Sequence, residues 1–394
     1  MINWLCQQMI KIDKQSISLK IHRMQRRRFL TIAGSTVVIA GVTYYLCSDR
    51  NNFARKDSNQ NSTTEIPLVD DEREILYLAS LAPSGHNTQP WFIKCIEPYN
   101  WIICNDKTKW LPGVDPTQRE TVLSIGAFMQ NLEYAAGNRG YSCQFTMLAT
   151  TNQDEHIVEV KLVKASVIGT SEVAAIKDRR TVRSNYLNKL LRKEDSDYLF
   201  NEEKDFFNFI HNGSKEYQYL NEQTIEANKI QSYRDVAEKE LSDWIRFSSR
   251  DAAIAMDGLT TASMEIKGIS GWVVRNFYSK SNVMKINFRQ KNIENVVEQV
   301  SLSAGWILIT SKGDSVETLL ETGKRIQRLF LKVRSKGIAI HPMTQILEES
   351  ATSQVVNQSI GISDNIQFIL RVGYIKTYPQ PVSLRRPVNW FVRI

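Results

Sequence analysis

Leu81-Ala82-Pro83-Ser84-Gly85-His86-Asn87-Thr88-Gln89-Pro90-Trp91 is the stretch whose reading decides the fold. It follows a helical pattern over Asp70–Leu81, with apolar residues at Ile75, Leu76, Leu78, Ala79 and Leu81, and leads into the apolar alternation Phe92-Ile93-Lys94-Cys95-Ile96. Pro83, Gly85 and Pro90 exclude both a helix and an unbroken ladder, so the stretch must be an irregular loop between two regular elements. Its side-chain donors and exposed amides suit it to holding a polar, planar ligand by the edge. The alternative is a plain helix-to-strand turn whose Trp91 plugs the core, and composition alone weighs the two equally.

The residues themselves say more. Ala-Pro-Ser-Gly-His-Asn-Thr-Gln-Pro-Trp resembles the Pro-Ser-Ser-x-Asn-x-Gln-Pro-Trp loop of the nitroreductase superfamily, which lies along the flavin of FMN. Further on, Arg179-Arg180-Thr181-Val182-Arg183 resembles the Arg-Arg-Ser-x-Arg signature that grips the FMN phosphate and ribityl chain. In an ordinary member the arginines come first. The reversed order resembles the Acg-like branch, whose single chain imitates a nitroreductase dimer. Gly337 to Gln345 is similar to the family segment that runs under the flavin and aims a backbone amide at N5, here the amide of Thr344 or Gln345. Family members often carry Glu-Gly there, so Thr-Gln is a departure. Arg385-Arg386-Pro387 stands where the family's closing basic residues reach back to the phosphate.

The resemblance implies an α+β, nitroreductase-like fold of two pseudo-repeated halves, residues 69–170 and 171–394. It implies an FMN site made of Pro83, Ser84, Gly85, Asn87 and Gln89 from the first half. The second half would add Arg179, Arg180, Thr181 and Arg183, then Pro342, Met343, Thr344 and Gln345, and finally Arg385 and Arg386. No catalytic side chain is named by it. Each half lacks what the other supplies, which gives one complete site per chain and makes a monomer the expected state.

At 394 residues with 42% apolar content the chain can bury a substantial core. The net charge of +8 is unevenly spread. Residues 1–46 hold Lys11, Lys14, Lys20, Arg23, Arg26, Arg27 and Arg28 against Asp13, so six of the eight charges lie there and the body is close to neutral. A nucleic-acid-binding surface is not supported. Arg26-Arg27-Arg28-Phe29-Leu30 fits a twin-arginine signal, followed by a charge-free run from Thr31 to Leu46; the alternative is a membrane-surface helix. Residues 1–47 are therefore expected to engage the twin-arginine translocase. Phe29 to Leu46, close to the ~20 residues that span a bilayer, could stay as an inner-membrane anchor. Met24 is an alternative start. The expected location is periplasmic or exported, and export of a folded chain suits a protein that loads its cofactor first. Residues 48–68 read as a polar, flexible tether.

Within the first half, strands are expected over Trp91–Ile96 and Trp101–Asn105. A helix is expected over Gln118–Ala136, capped by Asp115 or Thr117, and a strand over Ile157–Val163. The long apolar helix matches the one that joins the halves of a nitroreductase. Cys95 and Cys104 could face each other, as a disulfide or as apolar fillers. In the second half, Arg179, Arg180 and Arg183 are expected on a helix start, where three guanidiniums call for a counter-charge such as a phosphate; a solvated basic face is the alternative. Leu187 to Asn228 reads as surface helices and Trp244 to Thr261 as a helix. Gly268 to Trp272 reads as a glycine-broken cover for the site. A buried strand over Ser303–Thr310, a helix over Ser315–Ser335 and a strand over Ile366–Gly373 complete the pattern.

Ser84, His86 and His341 do not make a hydrolase site: no Gly-x-Ser-x-Gly elbow exists, and Ser84 and His86 share one loop. Five scattered histidines without His-x-x-x-His or Cys-x-x-Cys spacing exclude a familiar zinc site. With FMN held, the chain would be an oxidoreductase reducing nitro, quinone or similar small acceptors through flavin N5. A flavin-sequestering protein, with its flavin covered and no NAD(P)H turnover, is the rival from a different class. No Gly-x-Gly-x-x-Gly dinucleotide fingerprint is present.

Overall fold

Three acidic residues, Asp70, Asp71 and Glu72, open helix α1 (Asp70–Ser80), where they complement the positive end of its dipole. The Glu72 carboxylate reaches back to accept from the Val69 amide at 3.0 Å. The computed structural model describes residues 48–49, 68–168 and 171–394. The chain divides into two compact units, 1–50 and 51–394, and the described helices and strands all belong to the second. The expected signal and anchor, and nearly all of the expected tether, lie outside the described residues. Among the described residues no helix is long and apolar enough to cross a membrane.

After the Pro83–Pro90 loop the chain forms β1 (Trp91–Glu97) and β2 (Asn100–Asn105). Helix α2 (Arg119–Asn138) follows, then β3 (Tyr141–Met147) and β4 (His156–Lys164). Asp115 accepts from the Thr121 amide at 3.0 Å, which settles the capping in its favour over Thr117. Of these elements only β3 escaped the sequence reading; its edge position leaves half of its side chains exposed and its alternation weak. Helix α3 (Ser171–Asp178) then leads to the arginines.

Past them come β5 (Phe207–His211), the short parallel pair β6 (Ile245–Arg246) and β7 (Leu259–Thr260), and helix α4 (Gly268–Phe277). Then come β8 (Gly305–Ser311), helix α5 (Val316–Val333), β9 (Ile338–Pro342), β10 (Asn365–Tyr374) and the closing β11 (Val392–Arg393). The fold is mixed α and β. One sheet has the order β11-β1-β2-β4-β3, so the C-terminus completes a sheet begun three hundred residues earlier, pairing parallel to β1. The other has the antiparallel order β5-β8-β10-β9.

Helices α2 and α5 bring the two parts of the chain together, and two glycines set how closely. A Cβ on Gly126 would lie 2.1 Å from the Leu320 carbonyl oxygen, and one on Gly323 would lie 2.1 Å from that of Leu123. Only glycine permits this approach of backbone to backbone. Around the crossing a single apolar cluster includes Leu76, Trp91, Phe128, Ile307, Leu329 and Phe391. Trp91 is fully buried, its ring 5.1 Å from that of Phe128, so it does plug the core.

Several expectations are corrected. The β1–β2 register pairs Phe92 with Cys104 and Cys95 with Trp101, so the two cysteines do not face each other and are free thiols. Leu187 to Asn228 is not all surface helix: Phe207–His211 is a strand paired to the fully buried β8. The helix expected over Trp244–Thr261 is only partly there: one helix ends at Trp244 (Asp235–Trp244), where Ile245 turns extended, and within the range Ser249–Ala255 alone is helical, closed by Met256 in left-handed conformation. Gly268–Trp272 is unbroken helix, with Gly271 packed against the Ile266 carbonyl. Arg179, Arg180 and Arg183 do not open a helix; they follow the end of α3 in a stretch without regular secondary structure.

Candidate functional site

The Pro83–Pro90 loop is a single tight helical turn, Gly85–Asn87, entered from extended Ser84. His86, Asn87 and Gln89 all take left-handed conformations, an accumulation of backbone strain that surrounding contacts must hold in place. The Ser84 hydroxyl accepts from the Gln89 amide at 3.0 Å. Asn87 Nδ2 donates to the carbonyls of Gly258 and Leu384 at 3.1 and 3.2 Å. Gln89 is wholly buried; it donates to the Met256 carbonyl and accepts from the Arg386 amide, both at 3.0 Å. The amide side chains thus fasten distant segments to the loop and leave Pro83, Ser84 and His86 facing inward.

A cleft with a cavity volume of about 110 Å³ forms there. It is lined by Pro83, Ser84, His86 and Asn87, by Arg179, Arg180, Thr181 and Arg183, by Leu259 and Ser263, and by Val382, Ser383 and Arg385. The loop and the arginines, about a hundred residues apart in sequence, share one wall-to-wall space. Gly85 sits on the loop against Leu111 but is not part of the lining.

The guanidiniums are placed by carbonyls. Arg179 and Arg385 both donate to the Leu81 carbonyl, at 3.0 and 3.1 Å, so the end of α1 orients two cations at once. Arg179 also lies over the Phe330 ring of α5, 5.4 Å from its centroid. Arg385 donates to the Asn87 side chain at 2.7 Å and to the Ala82 carbonyl at 2.9 Å. Arg183 donates to the Ser263 carbonyl at 2.7 Å. Arg180 is bridged to Glu265 at 3.2 Å, and its Nε has no hydrogen-bond partner. Neutral carbonyls fix direction without cancelling charge, so the cleft stays electropositive. Two neighbours register it. Burial and then the charge of Arg183 push the His86 pKa down to about 4. Burial and then Arg371 and Arg183 hold His341 well below its usual range. Burial also lowers the pKa of Arg183 itself, Glu265 opposing and Arg180 and Arg371 adding to it. A neutral His86 pushed that low is a poor general base near pH 7, which agrees with the exclusion of a hydrolase.

Other expected site residues lie elsewhere. Arg386, next to Arg385, points away: it donates to the Gln89 and Trp91 carbonyls and stands 3.7 Å from Asp106. Pro342 ends β9 opposite Leu370, Met343 is in a second apolar cluster, and Gln345 opens a short helical turn. Thr344 donates to Glu348 at 2.7 Å. None of the four lines the cleft. Their strand does run beside the arginines, the Val182 amide reaching the Ile340 carbonyl at 3.5 Å. The sequence reading missed Leu259, Ser263 and Glu265; nothing in that polar run marks it out, and only the fold brings it across the cleft.

No family model matches the chain. Among curated proteins it is 20% identical over 334 residues to one from Serratia sp. named "Probable NAD(P)H nitroreductase PigM", covering 79% of this chain and 89% of the relative. It is 29% identical over 133 residues to a Mycobacterium tuberculosis protein that carries an NAD(P)H nitroreductase name, covering 31% of this chain and 36% of the relative. Solved structures similar to it include the FMN-dependent nitroreductase NfnB of Mycobacterium smegmatis in complex with NADPH (TM-score 0.36, 14% identity, 57% of this chain and 97% of that one). A Bacteroides fragilis nitroreductase with bound FMN is another (TM-score 0.32, 12% identity, 54% and 94%). The curated relatives support the nitroreductase superfamily.

Proposed function

We propose that the cleft holds FMN by its phosphorylated end and that the protein is an FMN-dependent oxidoreductase of nitroreductase type. One observation carries the reading: Ser84 and Asn87 of the proline-serine loop line the same electropositive cleft as Arg179, Arg180, Arg183 and Arg385. The donor set fits the group. A phosphate monoester needs several N–H donors and a positive surrounding, and Arg183, Arg180 and the Ser84 hydroxyl face the same space. At ~10–15 Å³ per water the cavity takes a phosphoryl group and a short polyol, the end of FMN these residues would grip. When bound, FMN supplies hydride chemistry. The chain's own residues would neutralise its phosphate, orient it through the loop and keep His86 uncharged beside it. Small acceptors, nitro compounds or quinones among them, are inferred from the resemblance of the loop and arginine motifs, as is the N5 contact from Thr344 or Gln345.

The finer readings belong with this one. The reversed order of loop and arginines supports the Acg-like arrangement, one site assembled from two pseudo-repeated halves, with α2 and α5 as the joining helices. The Arg26–Leu30 pattern supports export by the twin-arginine route, with or without retention of the apolar run as an anchor.

A second reading has its own support. Gly258 to Glu265 closes over the cleft through Asn87–Gly258 and through the Glu265 bonds to Arg180 and Ser184. A cover of that kind would shut out NAD(P)H and favour storage of the flavin. Anaerobic mixing of the purified yellow protein with NADH and NADPH separates the two. Bleaching by either supports an NAD(P)H-dependent enzyme, whereas bleaching by dithionite alone supports sequestration. A colourless protein that takes up no FMN overturns both.

A further inference from the structure

The segment that rims the cleft runs directly into a surface of unusual composition. From Lys267 to Lys291 there is no Asp or Glu, while Lys267, Arg275, Lys280, Lys285, Arg289 and Lys291 are all basic. Large apolar side chains stand out on the same stretch: Ile269 is 82% exposed, Phe277 55% and Ile286 51%, with Tyr278 at 37%. Ile269, Val273 and Phe277 recur at four-residue spacing along α4, so they share one face. Val274 turns the other way, into the apolar cluster of Ile245, Phe247 and Val283, and fixes the helix to the body. Arg275 donates to the Thr261 hydroxyl at 3.2 Å, tying α4 to the segment that lines the cleft.

Part of the positive charge is answered locally: Lys280 pairs with Asp243, Arg289 with Asp235 and Lys291 with Glu294. Lys267 and Lys285 make no ion pair among the described residues, and they flank the exposed apolar positions. Exposed apolar side chains on an amphipathic helix, bordered by lysines, match the boundary between acyl chains and anionic headgroups. We propose that the face carried by Lys267–Lys291 docks on an anionic lipid surface, which sets the cleft rim at the membrane–water boundary. This rests on the surface itself and stands or falls apart from FMN binding.

Hydrogen exchange on the full chain, with and without vesicles of phosphatidylcholine containing about one third phosphatidylglycerol, tests it locally. Amides of residues 267–291 should become at least about three-fold slower to exchange with these vesicles, and should not change with pure phosphatidylcholine. The double variant Ile269→Glu/Phe277→Glu, and separately Lys267→Glu/Lys285→Glu, should lose that protection while keeping exchange in β8 and α5 as in the parent. Three results would overturn the proposal: no protection of 267–291 while the chain sediments with vesicles, equal protection by uncharged vesicles, or protection that grows with protein concentration in the absence of lipid. The last would assign the face to a second copy of the chain.

Discussion

Among the polar places where residues from before and after position 170 meet, two carry opposite charge. In the cleft, Arg179, Arg180, Arg183 and Arg385 converge on a loop with no acidic residue. Near the start of α2, carboxylates dominate. Burial and then Glu120 push Asp115 up to about 7, the Thr121 amide and Arg119 opposing. Burial and then Glu120 push Glu348 up to about 8, against hydrogen bonds from Thr344 and Gln231. Arg119 and Arg234 answer them, on Glu120 and Glu349. A bound anion would be stabilised at the first place and repelled at the second. The contrast supports one anion site per chain, with Thr344 drawn into the acidic group.

The most damaging test removes the crossing on which both places depend. Gly323→Val puts a side chain into the Leu123 carbonyl and should destabilise the protein by about 3 kcal/mol or more, read as a fall in midpoint in urea. Next, Arg179→Ala/Arg183→Ala should weaken FMN retention by roughly a hundred- to ten-thousand-fold, at ~1.5–3 kcal/mol for each of the two charge-assisted contacts. Arg119→Ala, at the acidic place, should leave retention unchanged. Equal losses in the two would erase the contrast.

The two places should also titrate in opposite senses. His86 stays neutral in the fold down to about pH 4, against an ordinary value of 6.5. Stability from this group is therefore lost as pH falls through that window. His86→Gln should therefore reduce the fall in thermal midpoint between about pH 6.5 and 4. Glu348 is raised from 4.5 to about 8, so the folded chain holds its proton longer than the unfolded one. Its contribution is lost as pH rises from about 4.5 to 8, and Glu348→Gln should reduce the fall in thermal midpoint across that range. The smallest effect is local: Asn87→Ala removes three hydrogen bonds that fasten the loop and should cost about 1–2 kcal/mol.

Much of this was legible from residue types. Prolines and glycine forced the loop, and 3.6-residue spacing gave α1, α2 and α5. What could not be read was direction. Arg385 and Arg386 are neighbours of identical chemistry, yet one enters the cleft and the other turns to Asp106. Gln89 looked like a ligand contact, but it is buried outside the lining with the Met256 carbonyl and the Arg386 amide as partners, whereas Asn87 lines the cleft and also ties Gly258 and Leu384 to the loop. The Gly258–Glu265 segment beside the cleft has no periodicity to betray it and owes its place to two-residue strands.

If two distant pieces of one chain enclose a single phosphorylated flavin, the flavin content of the purified full-length protein shows it most directly. The measurement is acid release, identification of the nucleotide, and titration of the emptied chain with FMN by fluorescence quenching. One FMN per chain, lost in Arg179→Ala/Arg183→Ala and kept in Arg119→Ala, is expected. No uptake of FMN, or two equivalents per chain, would contradict it.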